Sequence, residues 1–327
     1  MEKMKAVICP KYGGPEVLQL TEVEKPVPGE NEVLIRIHAT TVTVADTRVR
    51  GFNVPRSYWV PARIMLGITK PKRPILGIEL AGEIEAVGGN VTLFKKGDQV
   101  FAATELTEFG AYAEYICLPE DGQIAIIPAN ISYAEATAIP IGACAALHYI
   151  RKGGVGSGTK VLIYGASGSV GTYAVQLARY FGAEITGVCS SVNLDLVKSL
   201  GADNVIDYTA ADFPERLEMY DVILLAIDKC PFSICNRALK ESGVYLNVTI
   251  PVKSFQMLWT SMTSSKKIFV GEEPPEKVKD LQFLKKLVEE GVVKPVIDRK
   301  YPFGQIAEAH RYVDKGHKRG NVVVTIR

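Results

Sequence analysis

Apolar and polar positions change rhythm twice along this chain. Up to about residue 125 the apolar residues come in short runs, Glu32–Ala39, Ile78–Val87, Gln99–Ala102 and Ala111–Leu118, each bounded by Gly, Pro or Asp. Short stretches of β-formers separated by turn residues predict a mixed β domain, not strand–helix units. The segment Pro55 to Pro74 breaks this rhythm with interleaved aromatic, basic and proline residues. A long irregular stretch in a compact domain either serves function or is a surface excursion.

After Pro128 strands and helices alternate. Ser132–Ile150 is helical by composition, and Ser132 followed by Glu135 is a capping box. The apolar runs Lys160–Tyr164, Glu184–Cys189, Asn204–Asp207, Asp221–Ala226 and Gly243–Val248 predict strands. Ser169–Phe181, Leu194–Leu200 and Pro231–Leu239 predict the helices between them. Alternation of this kind predicts a parallel sheet, and largely apolar strands predict that both its faces are covered. From Pro274 the pattern changes again. Glu276–Glu290 places Val278, Leu281, Leu284, Leu287 and Val288 on one helical side, and Gly291 stops it. Strand-like Val292–Ile297, a helix around Ile306–Lys315 and a last apolar strand, Asn321–Ile326, follow. Such a strand needs a sheet, which predicts a return to the first domain. The expected fold is α/β: a doubly wound parallel sheet over 128–273, inserted in a β-rich domain formed by 1–127 and completed by 274–327.

The chemistry starts at the turn after the first of these parallel strands. Val161-Leu-Ile-Tyr-Gly-Ala-Ser-Gly-Ser-Val-Gly171 leads an apolar strand through Ala166-x-Gly168-x-x-Gly171 into a helix. Ala166, Ser167, Gly168, Ser169, Val170 and Gly171 are therefore candidate binders of a dinucleotide pyrophosphate. Gly168 allows close backbone approach, Gly171 allows helix and strand to pack, and the helix N-terminus offers amides and a positive dipole end. Ala166 replaces the first glycine of the fingerprint, which favours a slightly wider turn. The alternative is a purely structural glycine turn. NAD-selective sites carry an acidic residue at the end of the second strand, roughly 20 residues on. Here that strand ends Gly187-Val-Cys-Ser-Ser191, and the first carboxylate is Asp195. Ser190 and Ser191 leave room for a 2′-phosphate and can donate to it, which points to NADPH. Their other reading is a plain helix N-cap. Lys198 follows a turn later, where it can equally face solvent.

Composition narrows the field. Of 327 residues 47% are hydrophobic, and 38 basic against 36 acidic side chains leave a net charge of +2. That balance argues against a nucleic-acid partner held by phosphate contacts. No run approaches the roughly 18 apolar residues of a membrane span, and the N-terminus carries no apolar signal segment. The six cysteines form no C-x-x-C pair, and several sit in apolar runs, as reduced buried thiols do. A cytoplasmic protein without disulfides is expected.

These stretches resemble the quinone oxidoreductase branch of the medium-chain dehydrogenase/reductase superfamily over nearly the whole length. The resemblance rests on Gly13-Gly-Pro-Glu-Val-Leu18, Pro28-Gly-Glu-Asn-Glu-Val-Leu34, Gly77-Ile-Glu-Leu-Ala-Gly82, Val87-Gly88, Lys96-Gly-Asp-Gln-Val100 and the glycine turn. Leu200-Gly-Ala-Asp-Asn-Val-Ile-Asp-Tyr208 and the run Glu308 to Arg311 extend it. The family pattern has a further glycine where Ser169 stands. The resemblance implies a GroES-like first domain completed by the C-terminal segment, a Rossmann domain between, an active site in the cleft between domains, and a homodimer. It also implies that Asn193 and Tyr208 line the adenosine-phosphate pocket, although the family often has Lys where Asn193 stands. Asn247 and Thr249, ending a strand, would meet the nicotinamide with backbone groups.

Alcohol dehydrogenases of the superfamily bind zinc through an early Cys and a Gly-His-Glu segment. The corresponding positions are Thr43 and Gly77-Ile78-Glu79, and Phe101–Phe109 lacks the cysteines of a structural zinc loop. With His38, His148, His310 and His317 scattered, no zinc is expected, since zinc needs three or four placed N or S ligands. Without a Lewis acid, hydride acceptors that stabilise their own charge, quinones and α,β-unsaturated carbonyls, are the expected substrates. Thr43 could donate to a developing oxyanion or merely bond its own backbone. Asp46 reads as a buried structural carboxylate. Tyr58 and Trp59 could wall the substrate site or pack on the surface. Reduction of alkenals or oxo-enones, and a non-catalytic NADPH-binding regulator, are the alternatives.

Overall fold

The computed structural model describes residues 2–55, 58–105, 107–249, 253–275 and 277–327. The chain divides into two compact units. One comprises Met1–Ile141, Leu281–Glu289 and Pro295–Arg327; the other comprises Gly142–Asp280 and Glu290–Lys294.

The second unit is built on six parallel strands. Across the sheet they run Asn204–Asp207, Glu184–Cys189, Lys160–Tyr164, Tyr220–Leu225, Leu239–Asn247 and Lys267–Val270. Numbered along the chain, this is the order 3-2-1-4-5-6 of a doubly wound Rossmann sheet, and it reverses direction beside Lys160–Tyr164. Consecutive residues Val161, Leu162 and Ile163 are all buried, so side chains on both faces are covered. The apolar runs had this form because neither face meets water.

The first unit holds a mostly antiparallel sheet. Its path is Ile297–Pro302, Asn321–Thr325, Glu32–Thr41, Glu79–Val87, Gln99–Ala103 and Ile124–Ile126, and Tyr115–Pro119 also pairs with Glu32–Thr41. The terminal strand does return: Val323 lies opposite Thr41 and Val324 opposite Thr40. A separate ribbon pairs Lys3–Ile8 with Gln19–Glu24.

Five local expectations are corrected. The helix expected over Ser132–Ile150 is two, Tyr133–Ala136 and Gly142–Lys152, with Pro140 between them removing an amide. The Ser132–Glu135 capping box itself forms. The strand expected at Ala111–Leu118 starts only at Tyr115, because the Ala111 and Tyr112 amides bond the Gly77 and Leu76 carbonyls. Val292–Ile297 is not a strand; the strand is Ile297–Pro302, whose Asp298-Arg-Lys300 centre hid its pattern. In the helix Lys277–Glu289, Leu281, Leu284, Leu287 and Val288 are buried but Val278 is exposed. Glu276 lies outside the described residues. The segment Pro55 to Pro74, irregular by composition, contains the helix Trp59–Leu66. Its Pro61 sits in the first turn, where no intrahelical amide bond is lost.

Candidate functional site

In the Rossmann unit the candidate residues gather at the carboxyl ends of three neighbouring strands. The Gly165 and Ala166 amides both donate to the Val188 carbonyl, at 2.9 and 3.0 Å, which pins the turn to the end of the second strand. The Tyr208 amide donates to the Cys189 carbonyl at 3.1 Å and brings the third strand's end alongside. Ser190, Ser191, Asn193 and Tyr208 therefore stand beside the glycine turn, at the side of the sheet where open α/β folds bind ligands.

Each glycine of the turn has its own task. Gly165 takes a left-handed φ of +79°, so the tight bend falls one residue before Ala166. The fingerprint reading had passed over Gly165. Gly168 caps the helix Ser169–Tyr180 with extended backbone, φ −81° and ψ 178°, and no side-chain cap. The amides of that helix's first turn have no partner within the helix. A Cβ on Gly171 would lie 2.1 Å from the Gly165 carbonyl oxygen and 2.8 Å from Ala166 Cα. A Cβ on Gly168 would meet only that oxygen, at 3.4 Å. Gly171 is thus required by packing inside the protein, whereas at Gly168 the surface is open enough to receive a phosphate.

Beside the turn, hydroxyls and one amide form a hydrogen-bonded cluster. Asn193 is buried, and its Nδ2 donates to Ser190 Oγ at 3.1 Å and Ser167 Oγ at 3.2 Å. Its Oδ1 is buried without a partner among the described residues. A buried acceptor left this way costs stability unless something donates to it, and a cofactor's ribose hydroxyl is a suitable donor. The serine hydroxyls can in turn donate to a phosphate, so the chemistry of this cluster fits an adenosine ribose phosphate. Lys198 is exposed and bonds the Asp203 carbonyl instead. The carboxylate near this cluster is Asp207, which the sequence reading missed. Thr209 donates to it from backbone and side chain, at 2.9 and 2.7 Å, and holds it below the usual carboxylate range, helped by Arg216.

Asn247 and Thr249 play a different part from a direct ligand contact by side chain. Asn247 is fully buried; its Nδ2 donates to Asp228 Oδ1 and Tyr245 Oη, both at 3.2 Å, and its Oδ1 accepts both the amide and hydroxyl of Thr249 at 2.9 Å. The pair fixes the turn after its strand, and the Asn247 carbonyl itself accepts from the Gly271 amide at 3.0 Å.

The first unit carries a buried polar chain that no short-range pattern announces. Thr43 caps the helix Val44–Gly51: its Oγ accepts from the Asp46 amide at 3.2 Å and donates to Asp46 Oδ2 at 2.6 Å. The Thr43 amide donates to Oδ2 at 2.8 Å and the Gly77 amide to Oδ1 at 3.1 Å. The Tyr112 hydroxyl is a further donor to Asp46. His310 Nε2 is 3.1 Å from that hydroxyl, and His310 Nδ1 is 3.3 Å from Arg50 Nη1. Since Arg can only donate, Nδ1 accepts, Nε2 carries the proton and gives it to Tyr112, and Tyr112 gives its own to Asp46. Burial and the Arg50 charge push His310 down to about 3, so the imidazole is neutral. Arg50 also pairs with Asp314 at 2.8 Å. Burial raises Asp46 to about 6 against all four of its donors.

Glu79 stands beside this chain and was quoted from the sequence only as the neighbour of an absent histidine. It is fully buried, accepts from Thr41 Oγ at 2.5 Å and from the Ile141 amide at 2.8 Å, and is raised to about 7 by burial. Lys318, partly buried, is pushed down to about 8 by desolvation, with Glu79 pulling it the other way. At the positions where zinc enzymes of the superfamily place ligands, Thr43 has its hydroxyl engaged with Asp46 and Ile78 is core. Neither offers an N or S donor, so the residues do not fit a catalytic zinc. Tyr58 is exposed at the head of the helix Trp59–Leu66, and its amide bonds the Pro55 carbonyl. Trp59 meets Phe52 edge-on at 5.9 Å, with the Arg63 guanidinium stacked 3.7 Å from the Phe52 ring. No described contact brings Tyr58 to Thr43. Among the described residues no helix is long and apolar enough to cross a membrane.

Comparison with known proteins agrees with this geometry. Residues 29–129 match the alcohol dehydrogenase GroES-like domain, and residues 200–324 match the family described as zinc-binding dehydrogenase. The chain is 32% identical to a chloroplastic quinone-oxidoreductase homolog of Spinacia oleracea, over 95% of each chain. It is 30% identical to the NADPH-dependent alkenal/one oxidoreductase of Arabidopsis thaliana, over 99% of this chain and 80% of that one. The structure of a quinone oxidoreductase from Coxiella burnetii superposes with a TM-score of 0.88 at 26% identity, over 100% of both chains. This chain belongs to the zinc-independent quinone oxidoreductase branch of the medium-chain dehydrogenase/reductase superfamily.

Proposed function

We propose that the protein is an NADPH-dependent reductase that delivers hydride to quinones or α,β-unsaturated carbonyls without a metal. The observation that carries this reading is the open backbone at Gly168 with the polar cluster beside it. It combines a backbone cradle for a pyrophosphate, the hydroxyls of Ser167, Ser190 and Ser191, and no carboxylate at the end of the second strand. NADPH, once bound, supplies the hydride. The chain's own work is to bind the pyrophosphate on the helix N-terminus, to hold the strand-end turn at Asn247 and Thr249, and to keep the site dry. The names of the spinach and Arabidopsis relatives support an acceptor that is a quinone or an enone. We read Thr43 as a positioning residue, because its hydroxyl proton is committed to Asp46. Six cysteines outside any disulfide support a reducing compartment such as the cytoplasm. The open sheet edge at Lys267–Val270, with exposed Phe255, Trp259 and Met262 on the adjacent helix, supports a homodimer, which light scattering tests.

The test follows NADPH absorbance with a small quinone and with an enone, and in parallel NADP⁺ reduction with ethanol. Turnover of the conjugated acceptors with negligible alcohol oxidation is expected. Rapid alcohol oxidation with both acceptors inert would overturn the reading.

A further inference from the structure

Two thiols in the Rossmann unit take no part in the chemistry above. Cys230 and Cys235 are both buried, with their sulfurs 3.5 Å apart. Cys230 follows the exposed pair Asp228 and Lys229 and precedes Pro231, which leads into the helix Phe232–Ala238. Cys235 lies about one turn into that helix. The pair is thus close to the surface at one end and anchored in regular structure at the other. Tyr164, Tyr245 and Phe232 share its apolar cluster, and the Asp228 carboxylate opposes ionisation of both thiols.

The remaining thiols whose ionisation is perturbed behave differently. Burial pushes Cys9, Cys117 and Cys189 up to about 11, which leaves them almost no thiolate. Cys230 moves the other way: the Cys235 thiol donates to its sulfur and favours its ionised form, while Cys235 itself is driven up. At 3.5 Å the two sulfurs are near enough for one to resolve an oxidised form of the other.

We propose that Cys230 and Cys235 are a dithiol modification site that a hydroperoxide closes to an intramolecular disulfide. The Cys230 thiolate attacks the terminal peroxide oxygen and the O–O bond breaks. The departing oxygen leaves as an alcohol, or as water from hydrogen peroxide, with the proton Cys230 gave up. The Cys235 sulfur then attacks the resulting sulfenic sulfur, the S–O bond breaks, and the oxygen departs as water with the Cys235 proton. Two thiols lose two electrons and the peroxide gains them. The sulfurs must approach by about 1.5 Å to reach bonding distance.

The sequence provides a direct readout. Lys229 and Arg237 flank the site, so trypsin releases Cys230–Arg237 as one peptide carrying both cysteines. Full-length protein is treated with a slight excess of hydrogen peroxide, quenched, denatured, alkylated with N-ethylmaleimide and digested. The expected peptide is lighter by two hydrogens and takes no label, while the peptides of Cys9, Cys117 and Cys189 stay labelled. Dithiothreitol restores both labels. Cys235→Ser should trap Cys230 as a dimedone-reactive sulfenic acid, and Cys230→Ser should leave Cys235 fully alkylatable. A Cys230–Arg237 peptide still doubly labelled when half-exposed Cys117 has been oxidised would overturn the proposal. So would a Cys230 that runs on to sulfinic acid with Cys235 intact.

Discussion

Replacing Gly168 and Gly171 separately by Ala should split folding from cofactor binding. At Gly171 the new methyl would sit 2.1 Å from one backbone atom and 2.8 Å from another, both in the turn that the Val188 carbonyl pins. Contacts below 3.0 Å essentially do not occur at a real Cβ, so the helix Ser169–Tyr180 must back away from the strand. Overpacking of this kind costs about 1–3 kcal/mol. At a few degrees per kcal/mol for a chain of this size, the expected loss in Tm is roughly 2–10 °C. At Gly168 the backbone is in a region any residue adopts, and the methyl makes one ordinary contact at 3.4 Å. Ala is a poorer N-cap than Gly and costs about 0.5–1.5 kcal/mol, of which the stiffer unfolded chain returns about 0.4–1 kcal/mol. Gly168→Ala should therefore melt within about 3 °C of the parent. Its methyl nevertheless occupies the approach to the helix amides, and lost pyrophosphate contacts of about 1.5–3 kcal/mol would weaken NADPH roughly 10- to 150-fold. Thermal melts without cofactor and fluorescence titration with NADPH measure the two quantities. A Gly168→Ala protein that binds NADPH as tightly as the parent would refute the assignment of the phosphate site.

Ser190→Asp should weaken NADPH at least 10-fold while changing NADH little, because a carboxylate repels a 2′-phosphate and accepts from a 2′-hydroxyl; tighter binding of NADPH in paired titrations would contradict it. Glu79→Gln should alter the pH dependence of stability. The folded-state carboxyl is raised to about 7 against an ordinary 4.5, so Glu79 contributes stability that is lost as pH rises from about 4.5 to 7; Asp46, raised to about 6, adds to that loss, while His310, held down at about 3, opposes it up to about 6.5. The Gln variant should lose the Glu79 share alone and so fall less, or rise more, than the wild type from pH 4.5 to 7, and melts across pH 4.5 to 8 that parallel the wild type would sink the assignment. Thr43→Val should cost about 0.5–2 kcal/mol through the lost cap, with Thr43→Ser close to wild type; an unchanged melt for Val, with turnover down 100-fold, would instead mark Thr43 as a donor to substrate.

What could be read in the sequence followed from how each element meets water. Lys160–Tyr164, Glu184–Cys189 and Asn204–Asp207 were bounded to the residue, since buried parallel strands are apolar on both faces and stop at turn residues. The edge strand Ile297–Pro302 was misplaced because exposed Arg299 and Lys300 stand at its centre. The helix Phe255–Thr263 went unread, since its apolar residues Phe255, Trp259 and Met262 face outward and give no inward stripe. In the site, the glycine turn and its serines were legible as a local pattern. The chain from Arg50 through His310 and Tyr112 to Asp46 was not, because it joins positions 260 and 198 residues apart.

The pairing of Asn321–Thr325 with Glu32–Thr41 has a consequence for synthesis. The ribosome makes one side of that pair about 280 residues before the other, an interval of roughly 15–60 s at ordinary elongation rates. The strands of the Rossmann sheet, by contrast, all lie between Lys160 and Val270 and can assemble on the nascent chain. For that interval the side of Glu32–Thr41 destined for Asn321–Thr325 is open to any passing strand, so translation stalls between Val270 and Asn321 should yield aggregates seeded by the first unit around a Rossmann sheet that is already made.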